Sequence, residues 1–236
     1  DGQAVRFQVH KAAMTVKAKM ETSQPVPPKL LWKGAVAKVE ELAVDALTAY
    51  VPLEGQKSYA EVPFGGARDP SETRPRPWNC QQDVFIPGTR IRVQGVIDRL
   101  DFSGDGRVAR VIDYKTGKES NHGLIDGGQE IQRPLYAVAV KALTEGVEQV
   151  SSSLHYVATG GIHENEEIDR AVSLVSEAAL NAVAGLENGK AIPGPADLAT
   201  REFIFAMPAN YLQYLERKAV ALEEARGPTA DVWGVE

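Results

Sequence analysis

The chain has 236 residues, a quarter of them charged and 43% hydrophobic, an ordinary composition for one large globular domain or one domain with an appendage. A single cysteine, Cys80, excludes an internal disulfide and any all-cysteine zinc or iron–sulfur site. Net charge is -6, but residues 1–118 are net basic and residues 119–236 strongly acidic, so a polyanion can still be drawn to the first half.

Residues Asp1 to His10 lack the basic-then-apolar layout of a signal peptide, and no apolar run approaches the length of a membrane span. A cytoplasmic protein without membrane contact is the expectation. The first residue is not Met, as in a fragment of a longer protein. Residues 33–50 predict an amphipathic helix, with Val36, Val39, Leu42, Ala43, Ala46 and Leu47 at helical spacing and Pro52 beyond its end. Residues 58–64 are expected to be extended. Gly65 to Asn79 holds Pro70, Pro75 and Pro77 and predicts a loop.

Residues 90–101 and 107–114 predict two strands around Ser103-Gly104-Asp105-Gly106, a turn signal, and so an antiparallel hairpin. The acids of Asp101 to Gly106 lack the ligand spacing and closing Glu of a calcium loop. Residues 127–145 predict a helix with Ile131, Leu135, Val138 and Ala142 on its buried stripe and Pro134 in its early turns. A strand over 150–158, a helix over 166–187, a Pro/Gly loop over 191–200 and a last helix over 209–226 complete the order. Together these predict an α/β core with a mixed sheet. The expected division is an N-terminal helical segment over 1–57, a core over 58–190 and a C-terminal loop and helix over 191–236.

The hairpin makes Asp98 and Asp113 neighbours on paired strands, and residues two apart on a strand share a face, so Asp113 and Lys115 point the same way. Two carboxylates suit a hard divalent cation and leave room for water and a phosphate oxygen. An ammonium beside them can orient or deprotonate water, or stabilise charge in the transition state. The plain alternative is a pair of strand-end acids in salt bridges with Arg99, Arg110 or Lys115.

Three words decide between these. They are Gly95-Val-Ile-Asp98-Arg99-Leu-Asp101, then Val111-Ile-Asp113-Tyr114-Lys115-Thr116-Gly117, then Gln132-Arg-Pro-Leu-Tyr136. In this order, on strand, strand and helix, they resemble the RecB-like branch of the PD-(D/E)XK nuclease superfamily, over about Glu61 to Val157. The resemblance implies a restriction-endonuclease-like α/β core with a mixed central sheet flanked by helices. It implies Asp98 and Asp113 as metal-binding acids, the backbone carbonyl of Tyr114 as a further ligand, and Lys115 as the catalytic lysine. Gln132 and Tyr136 match a helix that holds DNA or positions the lysine; their spacing of four puts them on one helical face. For Tyr136 a core aromatic is the alternative. Glu61, in Ala-Glu-Val-Pro-Phe, matches the strand before the hairpin, and is otherwise a surface acid. Arg99 and Thr116 are candidates for phosphate contact, with a salt bridge and a turn cap as equally good readings.

The upstream histidine that many relatives carry has no clear counterpart; His10 is the candidate for that place, and Glu61 or His10 is a candidate further metal ligand. The cofactor implied is Mg²⁺ or Mn²⁺, with no iron–sulfur cluster. The partners implied are DNA and, since relatives of this branch are often fused or bound to helicases, a helicase subunit or domain; no Walker A loop occurs here, so any such motor lies elsewhere. The activity implied is a DNA exonuclease in repair or recombination. The alternative is a nuclease-fold module that binds DNA or scaffolds a complex without cutting, and hydrolysis of RNA or another phosphodiester also stays open.

Overall fold

The computed structural model describes residues 2–71, 73–120, 123–125 and 128–189, with Gln213, Arg217, Ala221 and Glu224 beyond them. The expected loop at 191–200 lies outside the described residues. Of the expected helix at 209–226 only those four positions are described, and each is helical.

Two helices come first, α1 (Gly2–Ser23) and α2 (Lys29–Thr48). They pack on each other as a hairpin. Only α2 is foreseen by hydrophobic spacing. α1 buries no side chain and has no apolar stripe; its Ala, Lys, Gln and Met residues are good helix formers. The expected stripe of α2 holds in part: Ala46 is buried and Val36, Leu42 and Ala43 are half-buried, whereas Val39 and Leu47 are exposed and Val44 is buried instead.

The core is a five-stranded sheet. Its strands are β1 (Lys57–Phe64), β4 (Gly95–Phe102), β5 (Val108–Lys115), β6 (Gln149–Tyr156) and β7 (Gly161–Glu164), in that spatial order. The short strands β2 (Val84–Phe85) and β3 (Arg92–Val93) form a separate ribbon. The predicted hairpin is β4–β5, closed where Gly106 N–H reaches Ser103 O at 3.0 Å with Gly106 at φ 75°. β5 and β6 pair in parallel and every other neighbouring pair is antiparallel, so the sheet is mixed.

A parallel pair needs a crossover, and α3 (Gln132–Leu143) provides it. It packs on β5 and β6 and against α4 (Ile168–Glu187). The expected stripe of α3 holds only at Val138: Ile131 and Ala142 are exposed and Leu135 half-buried, while Tyr136, Ala137, Ala139 and Val140 join Val138 inside. Pro134 sits in its first turn, where a missing N–H costs least. The main core joins Val62, Phe64, Leu100, Phe102, Ala109 and Val111 of the sheet to these α3 residues. β7 is a four-residue edge strand in which half-buried and exposed residues alternate.

The glycine that opens the first motif word has a packing reason. A Cβ at Gly95 would stand 2.9 Å from the ring of Phe64, across the β1–β4 ladder. Phe64 in turn meets Tyr136 edge-on, with centroids 6.1 Å apart.

Candidate active site

β4 and β5 are paired from Phe102↔Ala109 as far as Arg99↔Ile112. One step further along this register Asp98 stands opposite Asp113, and there the ladder ends. The Asp98 carboxylate takes the place of a strand partner: Tyr114 N–H donates to its Oδ2 over 2.9 Å. Asp98 is half-buried, and burial pushes its pKa up. The Tyr114 N–H works against that rise, while the charges of Asp113 and Glu61 add to it.

Asp113 is 4% exposed. Its Oδ2 lies 2.6 Å from Lys115 Nζ, as expected of two side chains on one face. That contact is an ion pair without hydrogen-bond alignment, and Asp113 Oδ2 has no hydrogen-bond partner. The Lys115 ammonium donates instead to Gln132 Oε1 at 2.5 Å. Gln132 Nε2 then donates to the Tyr136 hydroxyl at 3.4 Å. Burial first, then the charges of Asp113 and Asp98, hold the Tyr136 pKa far above a free phenol's, so its hydroxyl stays protonated and bonds Asp113. Asp113, Lys115, Gln132 and Tyr136 thus form a closed polar ring. Two of them come from β5 and two from α3, one helical turn apart.

The remaining candidates fall elsewhere. Arg99 turns to the opposite face of the sheet, because it follows Asp98 directly on the strand. There it pairs with the buried Asp101, Nη2 to Oδ2 at 2.9 Å, and donates to the Tyr114 hydroxyl at 3.3 Å. That is the geometry of the salt-bridge reading of Arg99, on the face away from the two aspartates. The Tyr114 ring shares that reverse face, while its peptide stays at the site through Asp98. Thr116 is exposed just past the end of β5. His10 lies on α1, with Nδ1 3.0 Å from Glu40 on α2. Glu61 lies on β1 between the paired positions Ala60↔Arg99 and Val62↔Ile97, which sets it across from Asp98.

Among the described residues no group of three His, Cys, Asp or Glu side chains is gathered as a metal shell, so neither His10 nor Glu61 closes one around the two aspartates. The donors present still suit a hard cation. Asp113 offers a buried oxygen with no hydrogen bond, and Asp98 is a carboxylate whose charge burial disfavours.

Sequence reasoning missed three features. Arg133, 1% exposed, pairs with buried Glu130 through Nε at 2.5 Å and donates to Gly123 O at 2.8 Å. The Glu-x-x-Arg spacing was its only signal. On the reverse face, Tyr50 receives Arg99 and Arg110 over its ring at 5.7 and 5.4 Å and meets the buried His155 edge-on. The third is the left-handed backbone of Glu61, φ 51°.

A family model of the PD-(D/E)XK nuclease superfamily matches residues 7–226. No curated protein matches the chain significantly. The mixed five-stranded sheet flanked by helices is that of a restriction-endonuclease-like core. Among the described residues no helix is long and apolar enough to cross a membrane. With the match running along nearly its whole length, the chain belongs to the PD-(D/E)XK nuclease superfamily.

Proposed function

We propose that the chain is a divalent-metal-dependent deoxyribonuclease of exonuclease type, in the RecB-like branch, working in cytoplasmic DNA repair or recombination as a domain or partner of a helicase. The observation that carries this is the meeting of Asp98, Asp113 and Lys115 at one end of the β4–β5 pair. The order of the three motif words supports the branch, and the net basic first half supports a polyanionic substrate.

Asp98, Asp113 and the Tyr114 carbonyl would hold Mg²⁺ or Mn²⁺. Bound there, the ion supplies Lewis-acid polarisation of a phosphoryl oxygen and lowers the pKa of water. The protein's own part is placement. Lys115 is 31% exposed at its side chain, so its ammonium reaches solvent while Asp113 and Gln132 fix it. From there it orients the attacking water or offsets charge gathering on the phosphate. Gln132 and Tyr136 hold the lysine from α3, and the protonated Tyr136 adds a donor at Asp113.

The test uses linear single-stranded, linear duplex and covalently closed circular DNA with Mg²⁺, Mn²⁺ or chelator. Lys115→Ala is run beside the wild type. Cleavage of linear DNA that needs metal and Lys115 is expected. Cutting of closed circles would refute the exonuclease assignment. DNA binding that survives chelator, without cleavage by the wild type, would instead identify a non-cutting scaffold.

A further inference from the structure

Glu61 has φ 51°, and among the described residues it is the one non-glycine with positive φ. A left-handed glutamate within a strand is strained and persists only where its surroundings hold it. Here the holder is visible. Arg76 Nη1 binds the carbonyls of Ala60 at 3.0 Å and Glu61 at 2.8 Å. The other side of the guanidinium is braced by Asp69, with Nε on Oδ2 at 2.9 Å and Nη2 on Oδ1. That pairing, led by the hydrogen bond from Arg76, keeps the Asp69 pKa below the usual carboxylate range.

Beyond Arg76 the chain is tied to the end of β1 and the residues just past it. Trp78 Nε1 donates to Pro63 O at 2.9 Å, and Gly66 N–H to Cys80 O at 2.9 Å. Pro75 and Pro77 restrict the chain on either side of Arg76. So the loop after β1 folds back to grip the strand's outer edge at the residue facing Asp98. Glu61 falls between the paired positions Ala60↔Arg99 and Val62↔Ile97, across from Asp98.

We propose that Arg76, braced by Asp69, is a positioning residue for the carboxylate site: it holds the left-handed Glu61 peptide and so keeps the Glu61 carboxylate near Asp98 as a third negative charge that tightens divalent-cation binding. Glu61 acts here by its charge, since it forms no three-ligand group with the aspartates. The inference rests on the metal-site reading above.

The test follows Mn²⁺ binding to the full chain by electron paramagnetic resonance, with melting temperature and circular dichroism as controls for folding. Arg76→Gln and Glu61→Gln are each expected to weaken Mn²⁺ binding by roughly five- to tenfold, as loss of one nearby charge or its placement would. The double variant is expected to bind no more weakly than Glu61→Gln alone. Arg76→Gln with wild-type affinity, or additive losses in the double variant, would overturn the positioning role. Should Arg76→Gln fail to fold, Asp69→Asn takes its place: weaker binding that vanishes as an effect in the Glu61→Gln background supports the clamp, and unchanged binding refutes it. Wild-type protein that binds no Mn²⁺ would overturn the metal site itself.

Discussion

The backbone N–H of Tyr114 donates to the side chain of Asp98 over 2.9 Å, so a side chain of one strand ends the ladder to its neighbour. Asp98 therefore has a structural duty as well as its proposed chemical one, and the two can be separated. Asp98→Asn keeps a carbonyl acceptor for Tyr114 and is expected to melt within about 1 kcal/mol of the wild type while losing cleavage. Asp98→Ala leaves that N–H without its acceptor and is expected to lose roughly 1–3 kcal/mol as well. Urea unfolding without metal, beside a cleavage assay, distinguishes the two.

Gln132 touches Lys115 but no carboxylate in the ring. Its removal should loosen the ammonium without discharging it. Gln132→Ala is expected to lower kcat about tenfold, the equivalent of one hydrogen bond of about 1.4 kcal/mol, with KM for DNA little changed. A KM rise of that size with kcat unchanged would make Gln132 a DNA contact instead.

The Glu130–Arg133 pair is nearly water-free and ties the start of α3 to the Gly123 carbonyl. Arg133→Met strands a buried carboxylate and is expected to cost about 3–5 kcal/mol. For a chain of this size that is a fall in Tm of roughly 10 °C, read by calorimetry. Adding Glu130→Leu to Arg133→Met should recover part of the loss, because the uncompensated charge is then gone.

His155 is buried between Tyr50 and Tyr114. Burial, and then repulsion from Arg99, hold its pKa below the ordinary histidine value of 6.5. The folded state thus binds a proton less readily than the unfolded chain. Its contribution is fully present above pH 6.5 and is lost as pH falls from there toward the folded value. His155→Phe should narrow the gap between urea midpoints measured at pH 7.5 and at about pH 5.5. An unchanged gap would mean that this imidazole does not titrate on unfolding.

Much of the site was legible because its geometry follows short-range rules. A turn at Ser103–Gly106 fixes the register that brings Asp98 to Asp113, strand alternation sets Lys115 beside Asp113, and a spacing of four stacks Gln132 over Tyr136. The same alternation excludes Arg99 from that face, although its charge made it attractive as a phosphate ligand. His10 was beyond reach of such rules, since its partner depends on how two helices of weak pattern pair. So was Glu61, whose backbone is bent by Arg76, fifteen residues away. α1 carried no hydrophobic signal because it packs against α2 and buries no side chain.

The crossover that makes β5 and β6 parallel has one more consequence. Every member of the polar ring, with Asp98, falls in one unbroken stretch from β4 to α3. Lengthening the β6–β7 turn or trimming α1 would leave the spacing of those groups untouched, whereas a single residue inserted between Asp113 and Lys115 would send the lysine through to the other side of the sheet. The polar ring is in that sense a cassette, intolerant of any change in its internal count.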